Sequence, residues 1–417
     1  MYQTFHLAAS SIVKQGDLHV TDPSGRVHHY GDGTGTPVKM RLSPGAPGKI
    51  VKDPDLYLGE CYMTGDLQIT EGSVYDMIEV FLANIGSVYH YPSRKSRLLD
   101  IARRALRRLD QHNPAGRSRS NVAHHYDLSR TLYDLFLDSD RQYSCAYFER
   151  QDTSLEEAQL AKKRHIAAKL NIAPGMRVLD IGSGWGGLAL YLAEICGAKV
   201  HGVTLSTEQL ELARARAEER GLSDRVTFDL IDYRSLTGTY DRIVSVGMFE
   251  HVGVGQFKSY FRKLGSLLAE NGVGLVHSIN RSDGPGSTSA WIKKYIFPGG
   301  YIPALSEVVP HLEHGGLYIS DIEILRLHYA ETLHVWAERF AARRNKAREI
   351  YDEEFCRMWE FYLAASECAF RYGGMNNFQI QFVRNQTALP LTRTYMPEEE
   401  ERLRTIDSGL LREQAAE

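Results

Sequence analysis

The sequence predicts an α/β fold: a doubly wound parallel sheet with a helical lid insertion, preceded by a small α+β N-terminal domain. Three observations carry that expectation. The apolar run Arg177 to Ile181 enters the glycine-dense turn Gly182-Ser183-Gly184-Trp185-Gly186-Gly187, after which Leu188, Tyr191, Leu192 and Ile195 recur at helical spacing. Further strand-like runs at 199–205, 226–231, 241–247 and 272–278 alternate with helical segments, the rhythm of parallel βαβ units. Ahead of them, short strand candidates separated by turn residues give way to helical spacing.

In chain order, residues 1–20 are weakly patterned and are assigned no role. Asp17 to Thr21 and Gly25 to Tyr30 flank the turn Asp22-Pro23-Ser24-Gly25. Val38 to Leu42 is a third strand candidate, and 56–64 and 75–88 carry helical spacing. His28-His29 reads as an exposed turn pair rather than a metal site, and no metal is expected in the chain. Residues 93–120 change character: Arg94, Lys95, Arg97, Arg103, Arg104, Arg107, Arg108, Arg117 and Arg119 face only Asp100 and Asp110, while Leu98, Ala102, Ala105 and Leu109 share one helical face. That basic amphipathic helix is either a linker packed by its leucines or a surface for anionic phospholipid, where each basic residue contributes about 1 kcal/mol near a bilayer. The expected organisation is an accessory domain over 1–92, the basic linker over 93–120, a catalytic domain over 121–396 and a solvated polar tail over 397–417.

Composition narrows the class. In 417 residues, a net charge of −3 speaks against a nucleic-acid partner. The five cysteines are scattered and lack a C-x-x-C pair, which fits a reduced, cytoplasmic setting. No apolar run is long enough to span a bilayer, so membrane contact is expected only from the surface.

The glycine turn distinguishes two cofactor classes. Gly182, Gly184 and Gly187 satisfy G-x-G-x-x-G, but a dinucleotide site also needs an acid about 20 residues on, at the end of the next strand. That strand ends in Thr204-Leu205-Ser206, with no carboxylate before Glu208. Asp180 instead precedes Gly182, Gly184 and Gly186, the first motif of Rossmann-like S-adenosylmethionine (SAM) methyltransferases. The motif favours SAM over a nicotinamide cofactor.

Around that turn lie His125-Tyr126-Asp127-Leu128, Tyr143 to Phe148, Leu205-Ser206, Phe249-Glu250-His251, Leu275-Val276-His277, Phe297-Pro298-Gly299-Gly300, His328 to Leu333 with Trp336, and Phe370-Arg371-Tyr372-Gly373. In this series, residues 121–396 resemble the cyclopropane fatty acid synthase family of SAM-dependent methyltransferases, which includes mycolic acid cyclopropane synthases. The N-terminal module resembles the small domain preceding the catalytic domain in bacterial full-length synthases, and those relatives imply a homodimer.

The resemblance implies methylene transfer from SAM to a cis double bond in unsaturated acyl chains of membrane phospholipids, by an enzyme peripheral to the membrane. It further implies a bound bicarbonate as base, with Glu250, His277 and Tyr329 as its ligands and Cys145 as a backbone contact. For SAM it implies Tyr143 and Ser144 at the amino acid end, Gly182, Gly184 and Gly186 along the backbone, Thr204, Ser206 and Gln209 near the ribose, and Asp232 and Tyr233 near the adenine. The chemistry is coherent, because an isolated alkene is a weak nucleophile and needs the sulfonium held in contact with it. A dry pocket keeps water from the resulting cation, and ring closure then requires one proton to leave.

Plainer readings stand beside these. Glu250 in apolar surroundings is costly to bury unless it serves a site. His277 reads equally as a satisfied core histidine, Tyr329 as packing, and His124, His125 and His251 as structural. Residues 280–345, rich in Trp291, Tyr295, Phe297 and Tyr301, read as a lid over an acyl chain or as a plain helical cap. Methyl-branched, methylene or hydroxylated products, a small-molecule N-methyltransferase, and a binding module without turnover are the competing functions.

Overall fold

The computed structural model describes residues 2–86, 111 and 130–414, with side chains described to residue 409. The basic segment around 93–110 and the motif His124 to Leu128 lie outside the described residues.

The N-terminal module begins with helix α1 (Tyr2–Ile12), which buries Phe5 and Ala9, so the unassigned first residues form part of a core. Strands β1 (Asp17–Thr21), β2 (Val27–Tyr30), β3 (Pro37–Leu42) and β4 (Leu67–Glu71) form a sheet in the order β2-β1-β3-β4. Strict alternation puts Val38, Met40 and Leu42 of β3 inward. His28 and His29 lie in β2 rather than in a turn, and His29 and His19 both hydrogen-bond Asp17 Oδ1. Helices α2 (Ala46–Lys52), α3 (Pro54–Thr64) and α4 (Val74–Ile85) complete the module. Ser73 and Asp76 form a reciprocal capping box that starts α4.

The larger body is a seven-stranded sheet in the order β10-β11-β9-β8-β5-β6-β7. Its strands are β5 (Arg177–Ile181), β6 (Lys199–Thr204), β7 (Val226–Leu230), β8 (Tyr240–Val246), β9 (Leu268–Arg281), β10 (Tyr318–Ile324) and β11 (Met375–Val383). The run from β9 to β7 is parallel, and β11 alone is reversed, pairing antiparallel with both β9 and β10. Short α5 (Arg130–Tyr133) is followed by α6 (Leu155–Leu170), whose start is set by the Ser154–Glu157 capping box and whose end by Asn171 in a left-handed conformation. Helices α7 (Gly187–Glu194), α8 (Thr207–Glu219) and α9 (Phe257–Leu267) cover the sheet on its two faces.

Two expectations are corrected. The stretch 280–345 is not purely helical: α10 (Ala290–Tyr295) and α11 (Leu305–Glu313) precede β10, which joins the main sheet, and α12 (His328–Ala342) follows it. A half-exposed edge strand carries a weak burial pattern, which hid β10 among lid residues. The lid continues through α13 (Arg344–Ile350) and the long α14 (Glu353–Arg371). Residues 397–417 were expected as a solvated tail, but α15 (Tyr395–Gln414) packs on α6, with Leu403 and Asp407 buried. Asp407 accepts a forked pair from Arg164 and a hydrogen bond from Tyr191, which holds the helix down.

Candidate active site

A single cavity opens across the C-terminal ends of β5, β6, β7 and β8, where the strand order reverses on either side of β5. Its wall includes Tyr143, Ser144, Asp180, Gly182, Gly184, Thr204, Gln209, Asp232 and Tyr233. The fold thus gathers residues far apart in sequence: Tyr143 and Ser144 from the segment between α5 and α6, and the others from the ends of β5, β6 and β7 and the turns and helix start that follow them. Gly186 and Ser206 stand behind the wall. Gly186 has φ of 84° and a Cβ there would meet Phe228 at 2.8 Å, so only glycine fits the start of α7. Ser206 caps α8, accepting a bond from Gln209 N, while Thr204 Oγ1 donates to Gln209 Oε1 at 2.8 Å.

Gly184 also has positive φ, and a side chain built on it would meet open space rather than protein. Asp232 accepts from Arg234 N, Nε and Nη2. Tyr143 donates to or accepts from Tyr362 across 2.9 Å and stacks on Trp336, with Tyr133 edge-on. Asp180 is buried at the end of β5; loss of water raises its carboxyl to about 7, with the Lys162 ammonium opposing that rise.

The four expected catalytic residues are not on this wall; they occupy buried positions around it. Glu250 sits in the 3-10 turn Phe249–His251 after β8, its Oε1 accepting from Ile279 N at 2.7 Å. Burial lifts its carboxyl to about 7, against the Ile279 N–H and the nearby Ser278 hydroxyl. Its Oε2 has no hydrogen-bond partner among the described residues.

His277, opposite Gln379 in the β9–β11 ladder, is kept neutral: burial pulls its imidazole down to about 3. Lys169 Nζ donates to Gln379 Oε1 at 2.8 Å, which turns Gln379 Nε2 toward His277 Nδ1 at 3.2 Å. Nδ1 therefore accepts, and the ring proton belongs on Nε2. Asn377 Nδ2 lies 3.4 Å from that Nε2.

Tyr329 is buried against Trp336 and Phe370. Cys145 is buried, and desolvation pushes its thiol up, so it is no thiolate nucleophile. Its neighbour Ala146 donates its N–H to Thr332 Oγ1.

The sequence singled out neither Lys162 nor Trp185 as a site residue, and it read His251 as structural; all three line the cavity. Burial holds His251 neutral, down to about 4. Lys162 comes from the basic-looking run Lys162-Lys163-Arg164 of α6, and only its burial marks it. Asp17, His19 and His29, remote in the N-terminal sheet, place three ligand-type atoms within 4.8 Å of one another, each engaged in the hydrogen bonds described above.

A doubly wound sheet with one reversed strand, and a glycine-lined cavity at its switch point, define a SAM-dependent methyltransferase. The family model described as mycolic acid cyclopropane synthetase matches residues 114–380, and the chain belongs to that family. A second model, described as a domain of unknown function, matches residues 11–93. The chain is 38% identical over 356 residues to the cyclopropane-fatty-acyl-phospholipid synthase of Escherichia coli, covering 83% of this chain and 90% of that protein. It is 37% identical over 379 residues to a tuberculostearic acid methyltransferase of Mycobacterium tuberculosis, covering 85% and 87%. The solved mycolic acid cyclopropane synthase in complex with SAH and CTAB superposes with a TM-score of 0.61 at 32% identity, over 66% of this chain and 99% of that one.

Proposed function

We propose that this protein transfers a methylene group from SAM to the cis double bond of unsaturated acyl chains in membrane phospholipids, forming cyclopropane fatty acids with bound bicarbonate as base. The observation that supports it most is the pair of unmatched polar positions beside the cavity. Glu250 Oε2 is buried and without a partner among the described residues, and His277 Nε2, which carries the ring proton, meets the Asn377 amide only at 3.4 Å. An ion carrying one O–H and two acceptor oxygens fits both needs: Glu250 accepts its O–H, and His277 Nε2–H with the Tyr329 phenol donates to its oxygens.

When bound, SAM supplies an electrophilic methyl group and bicarbonate a weak base. The remaining work falls to the chain. Tyr143, Asp180, the Gly182–Gly184 turn and the Thr204–Gln209 pair hold the cofactor from one side, orienting it by fixed loops. The rings of Tyr133, Phe136, Tyr143, Trp336 and Phe370 exclude water from the reacting carbon. Glu250 in its ionised form holds a proton-bearing ligand oxygen, while His277 stays neutral and acts as a donor. Cys145 contributes backbone, not sulfur. Surface contact with anionic phospholipid through residues 93–120 completes the reading.

A second reading shares the methyl transfer, but the resulting cation loses its proton from a chain carbon instead of from the new methyl group and leaves a methyl-branched alkene. It is favoured by the tuberculostearic acid methyltransferase being as similar to this chain as the phospholipid synthase is. One experiment separates them: purified protein, SAM and vesicles of monounsaturated phosphatidylglycerol, with the released fatty acids chromatographed against a cyclopropane standard. Addition of one methylene's mass with the ring standard's retention is expected. A methyl-branched product supports the second reading, and no lipid product overturns both.

A further inference from the structure

We infer that Gln379 and Lys169 are positioning residues that fix His277 as the tautomer with its proton on Nε2, and that Glu323 of the edge strand anchors them. This rests on the proposed function, in which His277 donates to a bound anion, and adds the groups that make it a donor.

The sheet itself aligns the parts. His277 of β9 stands directly opposite Gln379 of β11, which stands opposite Glu323 of β10, so the three form one row across three strands. Lys169, in the last turn of α6, donates both to Gln379 Oε1, at 2.8 Å, and to Glu323 Oε2. Glu323 Oε2 also meets His165 Nε2 at 2.7 Å, and Asp321 Oδ2 lies 3.9 Å from Lys169 Nζ. Burial works against the Lys169 charge, and the Glu323 carboxylate opposes that loss. Lys169, His277 and Gln379 are each 1% exposed or less, so bulk water is no substitute for a mismatched partner.

An ammonium carries donors only. It therefore selects the carbonyl end of the Gln379 amide and sends the Nε2 end toward His277 Nδ1, 3.2 Å away. With the amide reversed, N–H would point at N–H beside Lys169. A proton on His277 Nδ1 would meet the same conflict at the other end. Burial first, and the Lys162 and Lys169 ammoniums second, keep the ring neutral, so it carries one proton, and that proton is left to Nε2. The Asn377 amide, 3.4 Å from Nε2, is too distant to hold it. The opposite tautomer would turn a lone pair toward an anion's oxygen and repel it.

The test is nitrogen-15 NMR of the full chain labelled in its histidine rings, the His277 signals being identified by their loss in His277→Asn. Wild type is expected to show a bare Nδ1 and a protonated Nε2; a proton on Nδ1 overturns the inference before any other variant is made. Gln379→Glu puts an acceptor of nearly the same shape where the donor stood, so Nδ1 should gain a proton. Its kcat on vesicles of monounsaturated phosphatidylglycerol should fall by about ten- to a hundredfold, the factor a hydrogen bond to a charged group supplies. Its affinity for S-adenosylhomocysteine should not change. Lys169→Met frees the amide to turn and should show both tautomers, whereas Lys169→Arg keeps the donor and should restore the wild-type one. A bare Nδ1 in folded Gln379→Glu overturns the inference, and so does a displaced proton with kcat unchanged. Wild type with the expected tautomer but no lipid product overturns the proposed function, and with it the purpose assigned to the tautomer.

Discussion

Glu250 illustrates how a single buried carboxyl couples pH to stability. Its folded pKa, about 7, lies above that of an exposed glutamate. The folded state therefore holds the proton that the unfolded chain releases, and stability falls as pH rises from about 4.5 toward 7. Glu250→Gln removes that dependence, so the variant should gain stability over wild type between pH 5 and pH 8. The gain is on the order of 3 kcal/mol, read as the midpoint difference in urea at the two pH values. The same variant should keep its affinity for S-adenosylhomocysteine while lipid product formation drops by roughly a hundredfold; unchanged product yield would remove the assigned role. At Gly184, where a side chain would enter open space from a left-handed backbone, Gly184→Val should abolish calorimetric binding of S-adenosylhomocysteine. The backbone strain should cost about 1–2 kcal/mol besides. Asp180 and Gly182 were legible as site candidates from the glycine turn, and Thr204 and Asp232 through the family resemblance; all four stand at or just beyond the ends of β5, β6 and β7, where such a sheet meets its ligand. Lys162 was not legible. On a helix, Lys162-Lys163-Arg164 looks like a solvated face until the sheet on one side and α15 on the other bury it.

At the scale of elements, the docking of α15 is the feature that local sequence concealed. Glu398 to Glu401 open the helix with four consecutive acids, a composition that reads as solvated. Yet Arg164 and Asp407 are 6% and 3% exposed at their side chains, so this is a buried ion pair that burial makes costly to leave half-made. Asp407→Ala should destabilise the protein by about 3–5 kcal/mol, because the Arg164 guanidinium would lose its forked partner inside the fold. Chemical denaturation followed by circular dichroism checks it, and a change below about 1 kcal/mol would show the pair to be dispensable. Strand β10 escaped the sequence for the opposite reason: its partner β11 lies 51 residues beyond its end, too far for a periodic pattern to announce the pairing.

For the whole molecule, the N-terminal module and the lid share one continuous apolar cluster. Trp291 and Phe361 press on Gly59 of α3, Trp291 Nε1 meets Met63 Sδ, and Glu60 binds both Lys294 and Tyr295. A Cβ on Gly59 would lie 2.5 Å from Trp291 and 2.8 Å from Phe361, so α3 can approach the lid only without a side chain there. Gly59→Leu should therefore separate the two parts, lowering stability by about 1–3 kcal/mol and splitting one thermal transition into two. A single calorimetric transition unchanged in midpoint would show that the contact contributes nothing. Among the described residues no helix is long and apolar enough to cross a membrane.

By itself, the sequence determined the class of sheet, the positions of its parallel strands along the chain, the glycine turn and the choice of SAM over a dinucleotide. These follow from local periodicity and from the few residues that a tight strand-to-helix turn allows. Only the tertiary structure decided that Lys162 lines the cavity, that His277 Nε2 meets the Asn377 amide, that α15 belongs to the core and that α3 seats on the lid. Each of these depends on which groups lose water when distant segments meet, and desolvation is a property of the assembled fold rather than of any stretch of chain.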